Sequence, residues 1–120
     1  MSEKIVLMAT HGPKEPELAT IPFVMATAAQ ASDVEALIGL QADAVLLASK
    51  NTSMEIKAAG FPPLKQLLDL YLEAGGKLYL CGPCATARNI GPEDLINGAE
   101  IVNAVTFIQA CTEATSSLVY

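Results

Sequence analysis

The sequence predicts an α/β fold in which a mainly parallel sheet of about five strands lies between layers of helices. Short apolar runs alternate with helical stretches in the order β-α-β-α-β-α-β-α-β, and this alternation is typical of a parallel sheet covered on both faces. The chain has 120 residues, of which 52% are hydrophobic, enough for one ordinary domain with a substantial core. We therefore treat residues 1–120 as a single domain.

Two strands and an apolar helix are predicted in the first part of the chain. Residues 5–9 are continuously apolar, which is typical of a strand buried on both faces, and residues 34–40 form the second strand. Residues 14–18 are polar and contain a proline, so we expect a loop there, with Thr20 as the cap of a helix over about 20–32. This helix is apolar nearly all round, and we expect the sheet to cover one side and another subunit the other.

The strongest helix signal begins at Pro62 and Pro63. Leucines and a tyrosine recur there at helical spacing and form one apolar stripe, which ends before Gly75. Residues 44–48 are too short a run for periodicity to distinguish a strand from a buried helical turn. The other predicted elements are a loop at 50–60, a strand at 77–80, a helical turn at 85–88, a helix start at 91–94, a strand at 100–102, a helix at about 104–115 with Val105, Ile108, Cys111 and Thr112 along one face, and a strand at 117–120.

A C-x-x-C turn follows the strand at 77–80. Cys81 and Cys84 flank Gly82 and Pro83, and proline is favoured in the first turn of a helix. Cys81 would then lie at a helix N-terminus, which favours an anion, so we expect a lowered thiol pKa and the highest reactivity there. Ligands of open parallel sheets bind at the carboxyl ends of the strands. Five residues lie at or just after such ends: Thr10, His11, Gln41, Cys81 and Asn103.

The other candidate residues each allow more than one role. Cys84 could be a resolving thiol, a disulfide partner or a packing residue, whereas Cys111 lies on an apolar helix face that favours packing. His11 could act as a base or proton donor, or only hydrogen-bond its own loop. Arg88, four residues after Cys84 on the same helical face, could hold an anionic substrate, stabilise a thiolate or be solvated.

Composition and charge exclude several classes of function. The net charge is −6 and the seven Lys and Arg residues are scattered singly, so we expect no nucleic-acid partner. The apolar runs are too short to span a membrane and the N-terminus has no signal-peptide pattern, so we expect no membrane partner and a cytoplasmic protein with reduced cysteines. One cysteine pair does not make a structural zinc site, and Gly12 stands without a glycine-rich phosphate loop. We expect neither a metal nor a cofactor.

Three motifs, spread over nearly the whole chain, are shared with one known family. They are Thr10-His11-Gly12-Pro13 after the first strand, Gly60-Phe61-Pro62-Pro63-Leu64 before the main helix, and the cysteine segment from Gly76 to Ile90, which is the most specific. The chain thereby resembles the DsrE/DsrF-like sulfur-relay family, particularly its small single-domain members often labelled predicted peroxiredoxins. Cys-Gly-Pro-Cys is also the thioredoxin tetrapeptide, but Leu80 replaces the tryptophan that usually precedes it and the motif comes late in the chain.

This resemblance implies a fold, an assembly and a site. The family's fold (DsrEFH-like) is a three-layer α/β/α sandwich with a five-stranded sheet in the order 4-3-2-1-5, and its members commonly form trimers or hexamers. The resemblance also favours a helical or loop segment at 44–48. In sulfur-transfer members, the cysteine that ends this strand carries a persulfide, and that position is Cys81; a role for Cys84 does not carry over. The candidate catalytic residues are Cys81 and Cys84, and the candidate substrate-binding residues are His11, Gly12 and Arg88.

Three functions are therefore considered. The first is a sulfur carrier or sulfurtransferase with a persulfide on Cys81, whose partners would be a sulfur donor or acceptor protein. The second is a dithiol oxidoreductase that cycles a Cys81–Cys84 disulfide. The third is an oligomeric binding module in which the cysteines have no role. A Cys84→Ser variant separates the first two, because a carrier needs one sulfur and a disulfide cycle needs two.

Overall fold

Five parallel strands form one sheet in the computed structural model, which describes residues 3–120. The strands are β1 (Lys4–Ala9), β2 (Glu35–Leu40), β3 (Lys77–Cys81), β4 (Ala99–Val102) and β5 (Ser116–Val119). The helices are α1 (Pro16–Ala31), α2 (Leu64–Glu73), α3 (Gly82–Ala87) and α4 (Ala104–Glu113), with 3-10 segments at Ala42–Ala48 and Pro92–Asp94. The strand order is β4-β3-β2-β1-β5, as the family resemblance implied.

Helices cover both faces of the sheet, but unequally. On one face, α1, α2, α3 and the first 3-10 segment enclose the larger core, which contains alternate strand residues such as Leu7 and Ile38. On the other face, α4 packs Phe107 and Ala110 onto a smaller cluster. The sheet residues buried in that cluster are Val6, Met8 and Leu37. The predicted three-layer sandwich is confirmed, with one helix as its third layer. No helix among residues 3–120 is long and apolar enough to cross a membrane.

Helix α1 begins four residues earlier than the sequence predicted. Pro16 occupies its first turn, where the missing N–H costs nothing, so the predicted loop at 14–18 is wrong in its second half. Thr20 is not a cap; it is buried inside the helix, and its hydroxyl donates to the Pro16 carbonyl at 2.6 Å. Phe23 packs in the core, whereas Met25 on the outer side is 40% exposed. The expected cover by another subunit stays a prediction.

The predictions for two short regions, residues 44–48 and 91–94, compare differently with the structure. Residues 44–48 lie in the 3-10 segment Ala42–Ala48, as the resemblance implied. The helix predicted to start at 91–94 is only one 3-10 turn, in which the Asp94 carboxylate accepts the Gly91 N–H at 2.9 Å. Immediately afterwards, Leu95 pairs with Ser49 in an isolated antiparallel bridge, and this extended pairing prevents the helix from continuing.

Helix α4 turns a different face to the sheet from the one predicted. Val105 and Ile108 are each 63% exposed, whereas Phe107 is buried. The Phe107 ring meets Tyr79 edge to face, with 6.4 Å between the ring centroids. A side chain at position 39 would place its Cβ 2.6 Å from the same ring, so Gly39 leaves the space that Phe107 fills. This close approach decides which face of α4 is buried.

Tyr71 connects α2 to the middle of β2 and to the start of β3. Its side chain is fully buried, and its hydroxyl accepts the Ile38 N–H at 3.0 Å and donates to the Lys77 carbonyl. Its ring also meets Phe23 of α1 edge to face. Burial raises the pKa of this hydroxyl above its usual range, so it remains neutral and keeps both its donor and acceptor roles.

Tyr71→Phe should lower the free energy of unfolding by about 1–3 kcal/mol, because buried backbone groups of β2 and β3 would lose their partner. Tyr79→Phe is the matched control: Tyr79 is a half-buried tyrosine of β3 whose hydroxyl makes no hydrogen bond to the described residues. We expect a change below about 0.5 kcal/mol for the control. Urea unfolding measures both, and equal losses would contradict the role of the Tyr71 hydroxyl.

Candidate functional site

The two cysteines of the C-x-x-C turn lie together at the carboxyl end of β3. Cys81 is the last residue of β3 and the N-cap of α3, and Cys84 lies in the first turn of that helix. Both are free thiols, and the Cys84 thiol donates to Cys81 with 2.7 Å between the Sγ atoms. Formation of a disulfide between them therefore needs only a small movement.

The two neighbouring thiols pack against different apolar clusters, which lie on opposite sides of the sheet. Cys81 shares the α4 side with Tyr79, because alternate residues of a strand point to the same face. Cys84 packs instead against the core beneath α1 and α2. The turn between β3 and α3 thus holds two neighbouring sulfur atoms in different surroundings.

A cavity of about 330 Å³ opens beside Cys81, between the β3–α3 turn and the β4–α4 turn. Its volume is at the low end for small-molecule sites, which span about 300–1,000 Å³. Three strand-end residues, Gln41, Cys81 and Asn103, meet here because parallel strands end at one edge of the sheet. The complete lining is Gln41, Cys81, Gly82, Pro83, Val102, Asn103, Ala104, Phe107 and Ile108.

Sequence reasoning does not assign most of this lining to a site. Gln41 and Asn103 are recognisable only as residues after strands. The side chain of Asn103 caps α4 by accepting the Thr106 N–H at 3.0 Å, and an Asn before an apolar helical run is a signal that could have located this turn. Phe107 and Ile108 carry no comparable signal, because their placement depends on a contact with a distant strand.

The pKa of the Cys81 thiol is raised, which is opposite to the direction expected at a helix N-terminus. Burial is the largest cause, and the Cys84 thiol adds to it; the Cys84 backbone N–H and the positive charge of Arg88 act the other way but are weaker. Helix α3 has only six residues, so its two ends lie about 9 Å apart and their opposite partial charges largely offset each other. Cys81 therefore reacts through a minor thiolate fraction at neutral pH.

Arg88 is held by Asp43 rather than pointing freely at the thiols. Its Nε and Nη2 atoms donate to Asp43 Oδ1 at 3.0 and 2.9 Å, and its Nη1 donates to the Cys84 carbonyl at 3.1 Å. Gly12 meets the same residue from the other side, because a Cβ at Gly12 would lie 2.3 Å from the Asp43 carbonyl oxygen. Two predicted site residues, Gly12 and Arg88, thus meet through Asp43 next to the cysteine turn.

His11 and Cys111 stand apart from the cysteine pair. His11 follows β1, two strands from β3, and its Nδ1 lies 3.2 Å from the hydroxyl of Thr10; no hydrogen bond within residues 3–120 joins it to a cysteine. Cys111 is half-buried and packs with the α4 cluster. In the same part of the chain, no group of three or more His, Cys, Asp or Glu side chains is placed to hold a metal ion.

The fold and the thiol pair define a class of protein: a small parallel α/β domain with a dithiol at the carboxyl edge of its sheet. Within that class, the chain belongs to the DsrE/DsrF-like family, whose model matches residues 3–120. Membership of this family suggests a role of the sulfur-relay type.

Two relatives that the chain matches are uncharacterized proteins. MJ0760 of Methanocaldococcus jannaschii, an uncharacterized protein, is 32% identical over 106 residues, which make up 88% of this chain but 38% of that protein. MJ0989 of the same organism, also uncharacterized, is 28% identical over 98% of this chain and 99% of its own. This chain thus spans well under half of the first relative and nearly all of the second.

Solved structures share the fold over the full chain. The ychN protein of E. coli has a TM-score of 0.82 at 25% identity, covering 98% of this chain and 99% of its own. MTH1491 of Methanobacterium thermoautotrophicum has a TM-score of 0.72 at 13% identity, covering 99% and 100%; at that identity the likeness shows the fold alone. Both confirm the predicted fold class.

Alkylation of Cys81 by iodoacetamide should still accelerate at pH values where a free cysteine, with a pKa of about 8.5, has reached its plateau. The reason is the raised pKa, which leaves less thiolate at each lower pH. Arg88→Gln should shift the profile to still higher pH, because a charge that lowers the pKa is lost. Lys65→Gln, which removes an exposed cation on α2, is the control. Peptide mapping after timed alkylation gives the rates, and a Cys81 midpoint below that of free cysteine would contradict the dominance of burial.

Proposed function

We propose that the protein is a sulfur carrier that holds a persulfide on Cys81. The observation that carries this proposal is the asymmetry of the cysteine pair. Cys81 lines the cavity, whereas Cys84 packs against the core with its Sγ 2.7 Å from that of Cys81. One thiol is thus open to a sulfur donor, and the other lies close enough to attack Cys81 Sγ once a sulfur atom is attached to it.

Loading transfers one neutral sulfur atom between two thiols. The Cys81 thiolate attacks the terminal sulfur of a donor persulfide, the S–S bond of the donor breaks, and the donor leaves as a thiolate that takes up the proton Cys81 has lost. The transferred sulfur is now bonded to Cys81 Sγ, and nothing is oxidised or reduced overall. The raised pKa makes the thiolate scarce but also more nucleophilic once it forms.

Release can follow either of two balanced routes. A thiolate of an acceptor protein attacks the terminal sulfur, and Cys81 leaves as the thiolate. Alternatively, the Cys84 thiolate attacks Cys81 Sγ, the bond to the terminal sulfur breaks, hydrosulfide leaves and a Cys81–Cys84 disulfide forms. The second route requires an external dithiol to reduce that disulfide before the next cycle. In this proposal, Cys84 serves release and is not required for loading.

The three candidate substrate-binding residues act at different distances from the transferred sulfur. Arg88 lowers the pKa of Cys81 through its charge, and we assign it the stabilisation of a persulfide anion. Gly12 acts indirectly, through its close approach to Asp43. His11 lies two strands away, so either a bent loop or a neighbouring subunit, in the trimer or hexamer that we propose from the family resemblance, would have to bring it to the sulfur. Free thiols of this kind persist in a reducing compartment, which favours the cytoplasm.

A dithiol oxidoreductase is the second candidate function, and the short separation of the two Sγ atoms favours it. In that reaction, Cys81 attacks a substrate disulfide, a substrate thiol leaves, and Cys84 resolves the mixed disulfide to release the second thiol. The substrate gains two electrons and the cysteine pair loses two. This cycle needs both cysteines, whereas loading of a carrier needs only Cys81.

Incubation with a cysteine desulfurase and cysteine should add the mass of one sulfur atom to the protein. Loading should persist in Cys84→Ser and disappear in Cys81→Ser, because only Cys81 faces the cavity. Cys111→Ser is the matched control and should load like the wild type. Intact-mass spectrometry with peptide mapping measures this outcome. Loading of the Cys81→Ser protein, or no loading with any donor, would overturn the carrier proposal.

A further inference from the structure

We infer that the cavity beside Cys81 binds the sulfur-exchange partner as an uncharged, apolar thiol or persulfide, in preference to an anionic one. This inference rests on the proposed function and deepens it by naming the class of molecule with which Cys81 exchanges sulfur. Four features carry it: the lining, the position of the nearest cation, the net charge and the shape of the rim.

The lining of the cavity contains no charged side chain among residues 3–120. Val102, Phe107 and Ile108 supply apolar walls, and the polar members, Gln41 and Asn103, are neutral amides. The Asn103 side-chain oxygen already accepts both the N–H and the hydroxyl of the following Thr106, at 3.0 and 3.1 Å. An apolar group would therefore pack against the apolar walls, whereas a charged group would find no oppositely charged side chain in the lining.

The nearest cation is engaged elsewhere. Arg88 does not line the cavity, and its guanidinium is bonded to the Asp43 carboxylate and to the Cys84 carbonyl. The chain as a whole carries a net charge of −6, which repels anions from its surface. A carboxylate in this cavity would contact no cationic side chain, so the N-termini of α3 and α4 alone would have to offset its desolvation, and such burial is costly.

The rim of the cavity offers a place for a short apolar tail. Ile108 lines the cavity and is nonetheless 63% exposed, so a ligand tail that lies over it removes apolar surface from water. Val105 is also 63% exposed and lies one turn earlier on α4, but it does not line the cavity. These two residues provide a matched pair in which only one should affect the ligand.

The experiment compares alkyl and charged thiol reagents at Cys81 in the Cys84→Ser protein. Methanethiosulfonates that carry methyl, propyl, anionic sulfonatoethyl or cationic trimethylammonioethyl groups form a mixed disulfide with Cys81 as methanesulfinate leaves. Rates are measured by peptide mapping and divided by those of a small model thiol. At 0.15 M ionic strength, charges interact over only about 8 Å, so a remaining effect of charge is local to the cavity.

We expect the ratio of the propyl rate to the anionic rate to be about tenfold higher at Cys81 than at the model thiol. Each methylene added between methyl and propyl should raise the rate by about threefold, because it buries apolar surface. Ile108→Glu should lower the propyl rate and suppress the anionic reagent further, and Ile108→Lys should raise the anionic rate. Val105→Glu and Val105→Lys, with the same charge changes on the same helix, should leave all the rates within about twofold.

The outcomes separate this inference from the proposed function, because sulfur loading of the same variants is measured in parallel with a cysteine desulfurase and cysteine. If sulfur loading is normal but the relative reagent rates at Cys81 equal those at the model thiol, the inference is overturned and the carrier proposal stands. Apolar preference without loading would support the ligand class and overturn the carrier. A Cys81 that reacts with no reagent, or equal effects of the Val105 and Ile108 variants, would also overturn the inference.

Discussion

The parallel pairing of β3 between β2 and β4 determines where every part of the candidate site lies. The register aligns Cys81 with Val102, and all three strands end at the same edge, so Gln41 and Asn103 reach the cavity that Cys81 lines. Side chains alternate along a strand, so a slip of one residue would turn Cys81 into the larger core and remove it from the cavity. Tyr71 opposes such a slip, because its hydroxyl accepts the Ile38 N–H of β2 and donates to the carbonyl of Lys77, the first residue of β3.

The ionisation of the Cys81 thiol depends more on its burial than on its position at the N-terminus of α3. Burial makes Cys81 harder to ionise, and the positive charge of Arg88 compensates only in part, because that side chain is shared with Asp43. A sulfur atom attached to Cys81 would lie in an apolar cavity, whereas Cys84 contacts Cys81 Sγ from the side of the core. The arrangement favours a protected sulfur that is exchanged with a partner in contact over a thiol that reacts freely with solutes.

Local sequence signals predicted the strands, the C-x-x-C turn and the carboxyl edge of the sheet, since each depends on residues that are neighbours in the chain. The family resemblance added the strand order and resolved the segment at 44–48. The face of α4 could not be predicted, because the fit of Phe107 onto Gly39 joins residues 68 positions apart in the sequence. For the same reason, the cavity was missing from the prediction. The direction of the Cys81 pKa was wrong, because the sequence shows the helix start but not the burial.

The central claim is that sulfur is carried on Cys81 and held in the cavity on the α4 side. A crystal structure of the Cys84→Ser protein after loading by a cysteine desulfurase and cysteine tests it most directly, since that variant lacks the thiol assigned to release. The account predicts one additional sulfur atom bonded to Cys81 Sγ and directed into the cavity beside Phe107. Additional sulfur on Cys111 in place of Cys81, or a Cys81 thiol that remains unmodified in loaded crystals, would contradict it.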